Sequence, residues 1–86
     1  MDRKFVEKAV ESGMWNLVLV SLISSDTLIN VESCKRSIDL IEELLKEVPM
    51  AEIPEDEKER SLGVLQEGLA IAKRDLAAFQ NRENSD

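Results

Sequence analysis

The stretch that decides the fold is "VESCKRSIDLIEELLKEV", from Val31 to Val48. Its apolar residues recur at alternating intervals of three and four, which brings them to one face of a helix. Charged residues fill most of the remaining positions, as expected for a solvent-facing surface. The spacing predicts a helix over 31–48 whose buried seam consists of Val31, Cys34, Ile38, Ile41, Leu45 and Val48, widened by Leu40 and Leu44.

Residues on either side of this stretch mark the ends of the helix. Asn30 is a preferred N-cap residue, because its side-chain oxygen can accept a hydrogen bond from an amide of the first turn. Asp26 is an alternative cap, which would start the helix near Thr27. At the other end, Pro49 disfavours helical dihedral angles at Val48. The helix is therefore predicted to stop at Val48.

A second segment repeats the pattern. Pro54 suits the first turn of a helix, and the acidic residues after it complement the positive end of the helix dipole. Gly63 and Gly68 each cost a helix about 1 kcal/mol relative to alanine, and they are better tolerated where another helix passes close by. The pattern predicts a helix over 54–79 with a seam formed by Leu62, Leu65, Leu69, Ala72, Leu76 and Phe79.

The connection between these two helices is only about five residues long, which favours antiparallel neighbours. We therefore predict an all-α fold, a small antiparallel three- or four-helix bundle built around a helical hairpin (31–48 and 54–79). Residues 1–80 form a single helical domain in this interpretation. The polar end of the chain, residues 81–86, is predicted to be a disordered tail.

The first third of the chain contains "MWNLVLVSLI", residues 14–23, of which eight are apolar. As a strand it would be apolar on both faces and would lack a partner, since no other segment has strand character. A helix satisfies its own backbone, so a helix is favoured. Apolar residues at helical spacing also predict a helix over 2–11, separated from this segment by Gly13. Either the bend at Gly13 hides the whole segment in a four-helix core, or part of it forms an interface.

Composition excludes several classes of function. The chain of 86 residues has 18 acidic and 11 basic side chains, a formal charge of −7. We expect no direct nucleic-acid binding, because that affinity comes from clustered lysine and arginine. Ten apolar residues are too few to span a bilayer, and no signal-peptide cleavage site follows them. The single cysteine, Cys34, cannot form an internal disulfide, which favours a cytoplasmic location.

Most residue combinations that are typical of catalytic sites are also absent from the sequence. Without histidine there is no Ser-His or Cys-His pair, and no glycine-rich phosphate loop occurs. The carboxylate pairs Asp39/Glu42 and Asp56/Glu59 have the spacing used for Mg²⁺ in all-α nucleotide pyrophosphohydrolases, but they lie off the apolar seams. Cys34 lies within a seam, where a cysteine usually behaves as a small hydrophobe. We expect no enzyme activity, no metal and no other cofactor.

The remaining class is protein–protein interaction. Segment 14–23 offers more apolar surface than a small bundle easily hides, and tryptophan is enriched at interface hot spots. We expect a small acidic adaptor, chaperone-like subunit or regulatory inhibitor, most simply a homodimer. An acidic decoy for a basic nucleic-acid-binding site is an alternative, and a Mg²⁺-dependent all-α enzyme is a third. The predicted partner-binding residues are Met14, Trp15, Val18, Leu19, Val20 and Leu22.

Overall fold

The computed structural model describes residues 3–24 and 28–84, and these form four α-helices. The described residues contain no strand, and the chain is an all-α small helical bundle as predicted. The alternative cap at Asp26 and the last two residues of the predicted tail, 85 and 86, lie outside the described residues. The helices are α1 (Arg3–Glu11), α2 (Trp15–Ile23), α3 (Val31–Glu47) and α4 (Glu55–Asn84).

The start of α3 confirms Asn30 as its N-cap. Asn30 Oδ1 accepts a hydrogen bond from the Ser33 amide at 2.8 Å. Ser33 Oγ in turn accepts one from the Asn30 amide at 3.0 Å, which completes a reciprocal capping box. Two amides that the first turn leaves without helical partners are satisfied in this way.

The end of α3 differs from the prediction. Val48 has φ −57° and ψ −44°, and its amide donates to the Leu44 carbonyl, so the expectation that Pro49 would exclude helical angles there is wrong. A residue before proline is disfavoured in the helical region but not barred from it. The helix stops because Pro49 has no N–H to continue the hydrogen-bond pattern. The chain then tightens into a 3-10 turn over Val48–Met50.

Both ends of α4 also shift. The helix begins at Glu55, and Pro54 contributes its carbonyl to the Lys58 amide at 3.0 Å rather than occupying the first turn. It ends at Asn84, five residues beyond the predicted end, so residues 81–84 of the predicted tail are helical. No glycine or proline interrupts the chain after Gly68, and the Arg82 guanidinium lies 5.4 Å from the centre of the Phe79 ring. At 30 residues, α4 is about 45 Å long.

The helices α3 and α4 form an antiparallel hairpin, and α1 and α2 pack together over one half of it. We name the half of the hairpin nearest the connection 48–54, residues 39–68, the proximal half. The far half, residues 28–38 and 69–84, is the distal half. The core of the proximal half contains Val6, Ala9, Trp15, Leu19, Leu22, Ile41, Leu44, Val48, Ala51 and Leu65. A second, smaller cluster in the distal half contains Leu28, Cys34, Ile38 and Ala72.

The buried row on α4 is rotated relative to the predicted seam. The fully buried residues of this helix are Ser61, Leu65, Gly68 and Ala72, whereas Leu62, Leu69, Leu76 and Phe79 are only half-buried. The rotation follows from the position of α2, which packs against the side of α4 that carries the small residues Ser61 and Gly68. Small side chains on that side let the two helices approach each other closely.

Candidate protein-interaction surface on the second helix

A glycine turn folds α1 back against α2. Gly13 has φ +80°, in the left-handed region that glycine occupies without strain. The Met14 amide donates to the Ala9 carbonyl at 2.9 Å, and the Gly13 amide donates to the Val10 carbonyl at 3.1 Å. This pair of bonds is the Schellman motif that commonly ends a helix. The turn starts α2 immediately after α1 and fixes which side of α2 faces the hairpin.

The inner face of α2 is part of the core. Trp15, Leu19 and Leu22 are all buried. The Trp15 indole donates a hydrogen bond to Ser61 Oγ at 2.6 Å, and both side chains are excluded from solvent. This bond satisfies two polar groups that would otherwise be buried without partners. It also fixes the start of α2 against the middle of the hairpin.

Two further contacts hold α2 against α4. Ile23 lies against Gly68 so closely that a Cβ added to Gly68 would fall 2.5 Å from Ile23 Cγ2. At the other end of α2, Arg60 donates to Asn16 Oδ1 and also to the Glu57 carboxylate. Together with the Trp15–Ser61 bond, these contacts fix the rotation of α2 about its own axis.

That rotation leaves a group of apolar side chains facing solvent. Met14, Leu17 and Val20 are 54%, 65% and 58% exposed, and we name these three residues the α2 outer face. They are three residues apart, so they follow one side of the helix. No residue from Ser12 to Ser24 carries a charge, although 34% of the chain is charged. The α2 outer face is therefore an uncharged apolar surface on an otherwise charged molecule.

The structure divides the six predicted partner-binding residues between two environments. Trp15, Leu19 and Leu22 lie in the core and support the surface from beneath. Met14 and Val20 face solvent, and Val18 is half-buried at the edge. Leu17 was not predicted as a partner-binding residue, because a helix that is apolar all round has no polar face from which to infer its rotation. Segment 14–23 is thus a core helix on one side and an exposed surface on the other.

Charge is distributed unevenly along the hairpin. Residues 39–60 contain nine acidic and three basic side chains, a net charge of −6. The helix α1, which packs on this proximal half, adds three basic and two acidic side chains. The distal half, residues 28–38 and 69–84, contains five basic and three acidic side chains, a net charge of +2. The molecule therefore has a strongly acidic proximal half and a weakly basic distal half.

Cys34 lies in the buried cluster of the distal half. The Cys34 side chain is fully buried, and this burial, with a smaller contribution from the charge of Asp75, raises the pKa of its thiol. A protonated, buried thiol is a poor nucleophile. Within residues 3–24 and 28–84, no group of three or more histidine, cysteine, aspartate or glutamate side chains is placed to hold a metal ion.

The described helices include none that combines the length and apolar character needed to cross a membrane. Comparison with protein-family models, with curated protein sequences and with solved structures found no match to this chain.

Proposed function

We propose that this protein is a small protein-interaction module, an adaptor, chaperone-like subunit or regulatory inhibitor, that self-associates through the α2 outer face. The supporting observation is the group of three large, more than half-exposed apolar side chains at Met14, Leu17 and Val20. Single exposed apolar residues are ordinary on protein surfaces. Three along one face of an uncharged helix form a continuous patch, which is characteristic of binding sites.

Apolar burial favours self-association, and charge repulsion opposes it. Full burial of a leucine, valine or methionine side chain contributes about 1.5–3 kcal/mol, and roughly half of that is still to be gained at each of these positions. Two copies of the chain, each with a formal charge of −7, repel one another. The α2 outer face itself contributes only uncharged side chains to such a contact, whereas burying unpaired charges would cost several kcal/mol.

A cytoplasmic setting suits this proposal. The only cysteine is a buried free thiol, so the fold needs no disulfide and tolerates a reducing compartment. In that setting the apolar core of the proximal half and the association itself supply the stability of the chain.

The test is self-association measured by sedimentation velocity over a range of concentrations. We expect the natural protein to associate, and Leu17→Asp and Val20→Asp to shift it to a monomer that keeps its helical circular dichroism. Met50→Asp is the matched control, because Met50 is also an exposed apolar residue, 55% exposed, but lies in the connection. A natural protein that is monomeric at every concentration, or equal effects from all three variants, would overturn the proposal.

The acidic proximal half favours a second candidate, a decoy that occupies the basic nucleic-acid-binding site of another protein. Nine of the twelve charged residues between 39 and 60 are acidic. Three of them, Glu55, Asp56 and Glu57, also complement the dipole at the start of α4. The test is binding of an oligolysine peptide at low and high salt. A decoy requires tight binding that weakens steeply with salt, and no binding at low salt would exclude it.

A further inference from the structure

We propose that the second copy docks antiparallel to the first, with the α2 outer face of each copy seated on the distal half of the other. This arrangement rests on the proposed self-association and adds the location and orientation of the partner. In a two-fold dimer of this kind, the same pair of surfaces meets twice.

The distal half is the part of the hairpin that has fewer covering elements. Its apolar cluster is drawn, among the described residues, from α3, α4 and Leu28, with no member from α1 or α2. Ile71, Leu76 and Phe79 pack against this cluster but are only half-buried. Ile29, just before α3, is 61% exposed. In the proximal half, α1 and α2 cover the equivalent side of the hairpin.

The distal part of α4 is long enough to accommodate a second α2. The nine residues of α2 extend for about 13 Å, whereas the distal part of α4, residues 69–84, extends for about 24 Å. Within its own chain, α2 packs along a row of α4 that includes Ser61 and Gly68. Ile71, Asp75 and Ala78 continue that row beyond the end of α2. A second α2 placed there would extend the covering layer along the same side of the hairpin.

The required contact area favours this arrangement over a direct meeting of two α2 helices. A stable interface usually involves about 20–30 residues on each side. A contact between two α2 outer faces offers only three large apolar side chains from each copy. In the antiparallel arrangement each copy contributes both its α2 outer face and its distal half. The buried apolar area is then formed at two equivalent sites.

Charge also favours the antiparallel orientation. A parallel pair would place two acidic proximal halves beside one another, each with a net charge of −6 over residues 39–60. The antiparallel pair places that acidic half beside the distal half of the partner, where the net charge is +2. Complementary potentials of this kind select orientation more than they add affinity.

The arrangement is tested by cross-linking between single-cysteine variants. Leu17→Cys places a thiol on the α2 outer face, and Ala78→Cys places one on the exposed distal surface of α4. An equimolar mixture under mild oxidation should give chiefly the mixed disulfide dimer, identified by its intact mass. The control pairs Leu17→Cys with Ala77→Cys, which is exposed but points about 100° away from Ala78. The native Cys34 thiol is buried and does not compete.

A predominant mixed dimer, reduced strongly in the Ala77→Cys control, supports it. A predominant Leu17→Cys homodimer would overturn the antiparallel arrangement and leave self-association through α2 intact. Only monomer, by cross-linking and by sedimentation of the natural protein, would overturn both proposals.

A charge-reversal pair tests the orientation independently. Lys73→Glu and Lys46→Glu both replace an exposed lysine and make the same change in net charge, but Lys73 is distal and Lys46 is proximal. We expect Lys73→Glu to raise the dimer dissociation constant by about two- to thirtyfold, since each exchanged charge acts twice in the dimer. Lys46→Glu should raise it less. Equal effects would mean that only net charge matters, and would overturn the antiparallel orientation.

Discussion

The Trp15 indole nitrogen and Ser61 Oγ lie 2.6 Å apart in the core, and their hydrogen bond joins α2 to α4 across 46 positions of sequence. The bond joins the most hydrophobic helix of the chain to a polar residue in the middle of its longest helix. Because the indole must point toward Ser61, the side of α2 that carries Trp15 faces inward. Met14, Leu17 and Val20 consequently face solvent.

Removing either partner of this bond should destabilise the fold. Ser61→Ala leaves the indole N–H buried without an acceptor, and Trp15→Phe leaves the serine hydroxyl without its donor. We expect each to lower the free energy of unfolding by about 1–3 kcal/mol, with an added packing loss for Trp15→Phe. The measurement is urea unfolding followed by circular dichroism. The double variant should lose less than the sum of the two, and strict additivity would show that the pair is not coupled.

Substituting the two glycines of α4 should have opposite effects. At Gly63 an added Cβ meets nothing within 4 Å, so Gly63→Ala should stabilise the helix by about 0.5–1 kcal/mol. At Gly68 the same atom would collide with Ile23 Cγ2, and overpacking of this kind costs about 1–3 kcal/mol. Thermal unfolding of the two variants gives the comparison. Adding Ile23→Ala should restore the stability that Gly68→Ala loses, because it removes the clashing Cγ2 atom. If the loss persists, the clash involves another residue.

Loss of the Asn30 side chain should weaken the start of α3. Asn30→Ala removes the acceptor for the Ser33 amide, and we expect a loss of about 1 kcal/mol in the free energy of unfolding. Asn30→Ser keeps a side-chain acceptor and should retain most of the stability. Urea unfolding distinguishes the two, and equal losses would mean that the cap contributes little.

The buried thiol makes stability depend on pH in the alkaline range. Burial, aided by the charge of Asp75, raises the pKa of Cys34 above that of an exposed thiol. The folded chain therefore keeps the proton at a pH where the unfolded chain loses it. The protonated Cys34 thiol therefore contributes fully to the free energy of unfolding below the pKa of an exposed thiol. That contribution decreases as the pH rises toward the higher pKa of the folded state. Urea unfolding from neutral to alkaline pH should show a steeper decrease for the natural protein than for Cys34→Ala.

The same burial predicts slow thiol chemistry. At neutral pH, a disulfide reagent such as Ellman's should modify Cys34 in the folded protein far more slowly than in urea. Reaction at the rate of an exposed thiol would contradict the burial of Cys34 and with it the predicted pH dependence.

The hairpin was predictable because the sequence features that specify its helices lie within a few residues of one another. Alternating apolar spacing around Ile38 and Ile41 identified α3, and Asn30 identified where it begins. The C-terminal ends of the helices were harder to predict from the sequence. The end of α3 at Glu47 depends on the missing amide of Pro49, and the extension of α4 to Asn84 has no clear marker in a polar segment. Spacing placed Leu45 in the buried seam and Leu44 beside it, whereas Leu44 is fully buried and Leu45 is half-buried.

The candidate surface was predictable only as a segment. The sequence located an apolar excess at 14–23, and the structure divided it into the buried Trp15, Leu19 and Leu22 and the exposed α2 outer face. The sequence indicated a close helix at the glycines of α4, and the structure confirms this at Gly68 but not at Gly63. The role of Ser61 was not predicted. A serine within an amphipathic helix resembles a surface residue until a second helix is placed against it.

By itself, the sequence determined that the chain is helical and where α3 and its cap begin. Those properties depend on neighbours within one or two turns. Tertiary structure alone decided the rotation of α2, because an almost uniformly apolar helix can face inward on any side. Contacts distant in sequence, Trp15 with Ser61 and Ile23 with Gly68, select one rotation. They thereby decide which apolar side chains are left for a partner.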